Sequence, residues 1–208
     1  MQGIYAITFV AFFLFIASVL VTVIFRSRSR KMDKLISGIE LIAGWELNDE
    51  EKKAYVNHLF ITEKGKNGGL FFVITLFMVL FFGLFIVFME EGKWAMFLFF
   101  VGITAVIALF AFGMPYYYRF RNNRGDGYVL IGKKYAYVNG TFHNWDFPLS
   151  GLVKAKVIQK PFYGMLLHYY YYDRTLRNEE VLKIPASKNI DMKEITEKLK
   201  ASNNYGCI

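Results

Sequence analysis

The sequence contains little cysteine: Cys207 is the single one among 208 residues. A lone thiol cannot form an internal disulfide, which excludes a disulfide framework and suits a reducing compartment. Apolar residues are abundant instead, with 22 phenylalanines, and they are clustered in long runs. This clustering is unusual for a soluble domain and indicates a membrane protein.

Motifs that carry chemistry are also missing. The three histidines, His58, His143 and His168, have no cysteine or carboxylate at metal-ligand spacing around them. The chain has no Walker loop, no G-x-G-x-x-G and no G-x-S-x-G nucleophile motif. We therefore expect no metal, no cofactor and no enzymatic activity.

Charge is absent from three long stretches, Ile4–Phe25, Gly69–Met89 and Trp94–Met114. Each has about the 20 residues that a helix needs to cross a hydrocarbon core of about 30 Å. We expect a first transmembrane helix within residues 1–25 and a transmembrane hairpin at 69–118, turning at Glu90–Lys93. Without ionisable groups at depth, a pump, a coupled transporter or an aspartyl intramembrane enzyme is disfavoured, although a pore formed by oligomerisation is not.

The net charge of +8 comes largely from basic residues beside these runs. They include Arg26, Arg28, Arg30 and Lys31 after the first run, and Arg119, Arg121 and Arg124 after the third. Because basic residues are retained on the cytoplasmic side, the N-terminus is expected outside and the C-terminal half inside. The pattern predicts a multi-pass protein of the cytoplasmic membrane that does not bind nucleic acid.

The cytoplasmic loop, 26–68, is predicted to hold two short helices. Met32–Ala43 has apolar residues at helical spacing and should lie along the membrane, with Gly44 ending it. Asn48 and Glu51 have the spacing of a capping box that begins the second helix. The apolar stripe that follows, Tyr55, Val56, Leu59 and Phe60, either packs on the C-terminal domain or on lipid, or docks a partner.

A period-two pattern follows Pro115, which is expected to end the third helix. It predicts a β-rich cytosolic domain at 119–201, with Asn139-Gly140 as a tight hairpin turn, and a flexible tail at 202–208. The predicted strands are Tyr128–Ile131, Tyr135–Val138, Thr141–Asp146, Leu152–Ile158, Met165–Tyr172 and Glu179–Ile184. A helix capped by Asp191 and Glu194 closes the domain. The fold class is α+β: three transmembrane helices followed by a small antiparallel domain with a C-terminal helix.

This order of elements resembles the pleckstrin-homology-like (PH-like) domains of bacterial membrane proteins. The resemblance rests on the Asn139-Gly140 hairpin, on Trp145–Leu149 before the next strand, and on Lys183-Ile184-Pro185 leading into the final helix. It covers roughly residues 127–201. In such families the domain often follows a transmembrane hairpin, and the resemblance implies a non-catalytic role in binding or scaffolding.

Two surfaces of this domain are candidate sites. Basic residues near the bilayer could hold anionic lipid heads, or could form an ordinary solvated face: Lys133, Lys134, Lys154, Lys156, Arg119 and Arg121. Aromatic residues could form an interface for a protein partner: Tyr170, Tyr172 and His168, together with Tyr55 and Leu59 of the loop. His168 could equally be a hydrogen-bonded structural residue.

Small residues recur at three-residue steps along the third span: Gly102, Ala105, Ala108 and Ala111. They allow another helix to approach closely, either one of the protein's own or that of a second copy.

The leading functional hypothesis is an adaptor, regulator or immunity-type protein that binds a protein or anionic lipid. The alternative is a ligand-gated, membrane-disrupting effector of a bacterial defence system, and a third is a lipid enzyme without a visible catalytic constellation.

Overall fold

The computed structural model describes residues 2–173 and 176–203. It is an α+β structure with three long helices, two antiparallel sheets and a short C-terminal helix. The helices are α1 (Gln2–Ile36), α2 (Asp49–Phe88), α3 (Lys93–Asn123) and α4 (Met192–Ser202). The strands are β1 (Leu41–Glu46), β2 (Tyr128–Gly132), β3 (Tyr135–Val138), β4 (Thr141–Asn144), β5 (Gly151–Ile158), β6 (Gly164–Asp173) and β7 (Leu176–Pro185).

The first three helices are each long and apolar enough to cross a membrane. The predicted capping box begins α2, because Asn48 and Glu51 exchange backbone-to-side-chain hydrogen bonds of 2.9 and 3.0 Å. Gly92, with φ at 78°, turns the chain from α2 into α3. The two helices then pack through rings, including Phe71 against Phe112 at 5.1 Å between centroids.

The prediction of two short loop helices is wrong. Helix α1 continues beyond the apolar run to Ile36, and residues 41–46 form a strand that pairs antiparallel with β2. Helical spacing misled the interpretation, because Leu35 is fully buried at the end of α1 whereas Ile39 is 73% exposed. Helix α2 in turn runs through Gly65, Gly68 and Gly69 without a break. Each glycine costs only about 1 kcal/mol relative to alanine, which does not end a helix continued on both sides.

The prediction that Pro115 ends the third helix is also wrong. Helix α3 extends to Asn123 with Pro115 inside it and buried. A proline within a helix removes one backbone hydrogen bond but does not by itself end the helix when the segment is packed on both sides of it. Tyr116 lies edge-on against Phe60 of α2, with centroids 5.1 Å apart.

The strands form two sheets in the orders β1-β2-β3-β4 and β5-β6-β7. Asn139 and Gly140 have φ of 48° and 88°, as the hairpin prediction requires. The buried Asn139 side chain also donates to the Asn122 carbonyl (2.7 Å) and accepts from the Gly127 amide (3.1 Å). The turn therefore fixes the end of α3 to the domain.

One apolar core joins the two sheets, α4 and the beginning of α2. It includes Tyr55, Val56, Val129, Ile131, Trp145, Met165, Leu167, Ile184, Met192 and Leu199. Asp191 caps α4 as predicted, accepting from the amides of Lys193 and Glu194.

The β-domain is discontinuous in sequence, which corrects the predicted range 119–201. Strand β1 precedes the helical hairpin and completes the sheet that β2–β4 begin. Periodicity did not reveal it, because the apolar residues of this segment also fit the helical spacing of the helix predicted at 32–43. Of the predicted tail, Ser202 belongs to α4 and Asn203 donates to the Lys133 carbonyl at 2.7 Å. Residues 204–208 lie outside the described part of the chain.

Candidate functional site

Helix α1 meets the β-domain at a polar corner formed by Arg28, Lys31, Lys134 and Asp146, called here the α1 corner. The Arg28 guanidinium donates to the Phe142 carbonyl at 2.7 Å. The Lys31 ammonium lies 2.9 Å from one Asp146 carboxylate oxygen, and Lys134 lies 3.0 Å from the other. Asp146 therefore links α1 to the β2–β3 turn.

The single carboxylate of this corner is held by two cations, while Arg28 contacts a neutral carbonyl. Burial alone would raise the pKa of Asp146, but hydrogen bonds from Lys31 and Lys134 outweigh it and hold the pKa below its usual value. Beside them, burial and the positive charge of Arg28 lower the pKa of His143 to about 4. His143 is thus neutral near pH 7, and its Nδ1 lies 3.3 Å from the Tyr169 hydroxyl.

An open groove runs along the last turns of α1 next to this corner. It is lined by Val23, Arg26, Ser27, Arg30, Lys31 and Lys34. Lys34 also pairs with Glu40 at 3.4 Å, and Glu40 accepts a hydrogen bond from the Tyr135 hydroxyl. The groove brings four basic side chains together just beyond the apolar run of α1.

A second candidate surface is the face of the β5–β6–β7 sheet turned away from the core, called here the outer face. Strand register places Lys154 opposite His168, and Tyr170 opposite Glu179. His168 lies 2.7 Å from Glu179, which also pairs with Arg177 at 3.0 Å. The Arg177 guanidinium stacks over the Tyr170 ring at 4.4 Å.

The five predicted interface residues are divided by the structure. His168, Tyr170 and Tyr172 share the outer face, and Tyr172 is 45% exposed. Tyr55 is only 3% exposed and packs edge-on against Phe162, so its assignment to an exposed interface is corrected. Leu59 likewise packs against the core. The apolar stripe at the start of α2 attaches the helix to the domain because burying it removes large apolar side chains from water.

The six predicted lipid-binding residues lie on three separate elements. Lys133 and Lys134 form the β2–β3 turn, and Lys154 and Lys156 are exposed on β5. Near the end of α3, Arg119 stacks over Phe60 at 4.7 Å and Arg121 over Tyr118 at 5.3 Å. The structure joins only Lys134 of this set to the α1 corner.

The predicted small-residue stripe of α3 is also divided. Gly102 and Ala105 are exposed, whereas Ala108 and Ala111 are partly covered. A methyl group added at Gly102 would meet no atom within 4 Å. The apolar side chains of α1 are exposed on nearly every side, including Phe9, Phe13 and Leu20.

Sequence reasoning missed the α1 corner, since it treated Arg28 and Lys31 as markers of membrane topology and gave Asp146 no structural role. No local spacing connects them, because Lys31 and Asp146 are 115 residues apart. One signal in the sequence could have drawn attention to this segment: Phe147 and Leu149, next to Asp146, are large apolar residues in a predicted loop.

Comparison with protein-family models, curated proteins and solved structures finds no match for this chain. Within residues 2–173 and 176–203, no three His, Cys, Asp or Glu side chains come together as a metal site would require.

Proposed function

We propose that this protein is a non-catalytic, multi-pass protein of the cytoplasmic membrane that binds a protein partner through the outer face of its cytosolic β-domain. In this proposal the protein acts as an adaptor or a regulator, and an immunity-type protein would be one example of such a regulator. The observation that carries the proposal is the outer face itself, where partly exposed tyrosines of β6 lie opposite charged residues of β7 that pair with each other.

A PH-like assignment of the domain is supported by its arrangement of elements. Four strands and three strands form two antiparallel sheets around one core, and a helix follows the last strand. The domain departs from a simple PH-like module because its first strand precedes the helical hairpin. Binding and scaffolding, as the resemblance implies, fit this arrangement.

The outer face has the composition of a binding surface. Tyrosine and arginine dominate the energetics of protein interfaces, since they bring large contact areas together with hydrogen-bonding groups. Glu179 holds both His168 and Arg177, and Arg177 in turn covers Tyr170. These side chains are therefore ordered before a partner binds, which lowers the entropic cost of binding.

Site-specific photo-crosslinking in native membranes tests this proposal. A photoreactive residue at Tyr172 is expected to give one discrete adduct, which Tyr170→Ser with Arg177→Ser weakens. The same residue at Lys198, on the exposed side of α4, should give none. Equal adducts at both positions, or adducts unaffected by the double substitution, would overturn the proposal.

The membrane helices favour a second candidate, the ligand-gated effector that oligomerises in the bilayer. Its supporting observation is that Gly102, Ala105 and nearly all of α1 are left uncovered by the described chain. Gly102→Leu with Ala105→Leu should abolish growth arrest and depolarisation caused by overexpression. Val106→Leu, at another exposed position of α3, is the control. Overexpression that leaves the membrane potential intact with and without the cognate signal would count against this candidate.

A further inference from the structure

The turn between β4 and β5 presents apolar side chains to the outside of the domain. Phe147 is 49% exposed and Leu149 is 74% exposed. Such side chains at a turn tip gain nothing from the protein core. They are the kind of groups that enter the boundary between headgroups and acyl chains.

The turn holds Leu149 in an unusual backbone conformation. The Ser150 amide donates to the Phe147 carbonyl at 3.1 Å, and the Phe147 amide donates to the Ser150 hydroxyl at 2.8 Å. Leu149, the third residue of this closed turn, has φ of 60°, where glycine or asparagine is the usual choice. A leucine there is strained and exposed, which points to a role outside the fold.

The position of the turn along α1 places it near the membrane surface. Lys31 lies 5.1 Å from the Phe147 ring centroid and pairs with Asp146. Along the helix axis, Lys31 is about 9 Å beyond Phe25, the last residue of the apolar run. The headgroup layer extends about 5 to 8 Å beyond the hydrocarbon. The Lys31 backbone is thus about 1 to 4 Å beyond that layer. Because helical side chains lean towards the helix N-terminus, the Lys31 side chain and the Phe147 ring that it contacts are directed back towards the layer.

The charge around the turn suits an anionic leaflet. The groove residues Arg26, Arg30 and Lys34 lie on the adjoining turns of α1. Asp146 and Glu40 are paired with Lys31, Lys134 and Lys34, and Asp33 adds one negative charge to this end of α1, where basic residues remain in excess. Basic residues close to a membrane surface are attracted to anionic lipids by about 1 kcal/mol each.

We propose that the β4–β5 turn is a second membrane anchor, in which Phe147 and Leu149 insert into the interface of the leaflet beside α1. The turn thereby fixes the orientation of the β-domain relative to the bilayer. This inference requires α1 to span the membrane, as the proposed function also does, but it does not depend on partner binding at the outer face.

Depth-dependent fluorescence quenching tests the anchor. The full chain with Cys207→Ser carries an environment-sensitive label at Leu149→Cys, Lys198→Cys or Ile16→Cys, in mixed phosphatidylcholine–phosphatidylglycerol vesicles. Lipids with a quencher near the headgroup should reduce the Leu149 signal more than lipids with a quencher at the chain end. The Ile16 signal, from within the span, should be quenched as well, and the Lys198 signal should be unaffected.

The three labels separate the possible failures. If the Leu149 label behaves like the Lys198 label while the Ile16 label is quenched, the anchor is overturned but the membrane span of α1 is not. If the Ile16 label is not quenched, both the anchor and the span are overturned. A second variant guards against distortion by the label: Leu149→Gly suits the turn, and with Phe147→Ser it should weaken quenching of a label at Pro148→Cys, an exposed position that makes none of the turn's hydrogen bonds. Unchanged quenching of that label in the double variant would also contradict the anchor.

Discussion

The β-domain is attached to α1 largely by charge, beside one small apolar cluster in which Leu35 packs with Tyr135 and Phe142, and to α2 by burial in the main core. At α1 the polar contacts are Arg28 with the Phe142 carbonyl and Lys31 with Asp146, which Lys134 of the domain also holds. At α2 the contacts are Tyr55 and Val56, each no more than 3% exposed within the core. Because burial is insensitive to salt and pH whereas partly exposed ion pairs are not, the α1 corner is the attachment that conditions can alter.

The largest effect is expected at the α2 attachment. Tyr55→Ala removes a fully packed ring and should destabilise the domain by about 3 kcal/mol. Urea unfolding in detergent, followed by tryptophan fluorescence, measures this loss. Tyr128→Ala is the matched control, since Tyr128 is 48% exposed and should change stability by less than about 0.5 kcal/mol. Similar losses for both variants would remove the distinction between the attachments.

The second largest effect is expected on acidification, which should lower the stability contributed by His143 beside the α1 corner. The folded-state pKa of His143 lies below its usual value, so stability is complete above about pH 6.5 and falls as the pH drops towards about 4. The full loss is on the order of 3 kcal/mol, since protonation charges a buried ring and places a second positive charge beside Arg28. Melting temperatures across this pH range, compared between wild type and His143→Gln, measure it.

The His143→Gln profile should be flatter, and a profile as steep as that of the wild type would contradict the assignment. Asp146 acts in a different window. Because its pKa is lowered, its contribution is present above its ordinary value of 3.8 and is lost only below it. The two residues are thus separable by pH.

Breaking the ion pair itself should have a moderate effect. Lys31→Met is expected to destabilise the α1 corner by about 1 kcal/mol, because the pair is partly exposed and screened by water. The side chains of Lys31 and Asp146 are 19% and 34% exposed. Unfolding at low and high salt measures the effect. The difference between wild type and variant should shrink at high salt, and a difference that persists would indicate lost packing instead.

The smallest effect is expected in the segment between the hairpin and the domain. Arg119→Gln removes the guanidinium from above the Phe60 ring and should cost about 0.5 kcal/mol, as expected of an exposed cation–π contact. The same unfolding assay applies, with Lys93→Gln at the opposite end of α3 as the control. A loss as large as that of Tyr55→Ala would show that this segment, too, is a principal attachment.

The sequence carries strong local signals, and these predicted much of the fold. Uncharged runs identified the three long helices, and Asn139-Gly140 with Asp191 identified a hairpin and a helix start. The short strand β1 escaped detection because its partner, β2, lies beyond the entire helical hairpin. Pro115 misled because it is buried inside a helix that continues past it, and the glycines of α2 misled because each costs a helix only about 1 kcal/mol.

The candidate sites were less accessible to sequence reasoning than the fold. Alternation in β6 correctly placed His168, Tyr170 and Tyr172 on one face. It could not show that Glu179 and Arg177 complete that face, since strand register depends on pairing. The α1 corner joins residues on either side of the hairpin, and no periodic pattern connects such residues.

Spin-label distances compare the two attachments most directly. In nanodiscs, a label at Lys154→Cys is paired with one at Ser29→Cys on α1 or at Asn57→Cys on α2, with Cys207→Ser in both. In about 1 M salt, where the Debye length is about 3 Å, the Ser29 distance distribution should broaden and the Asn57 distribution should not. Distributions that both stay narrow, or both broaden, would contradict a larger contribution of charge to the attachment at α1 than at α2.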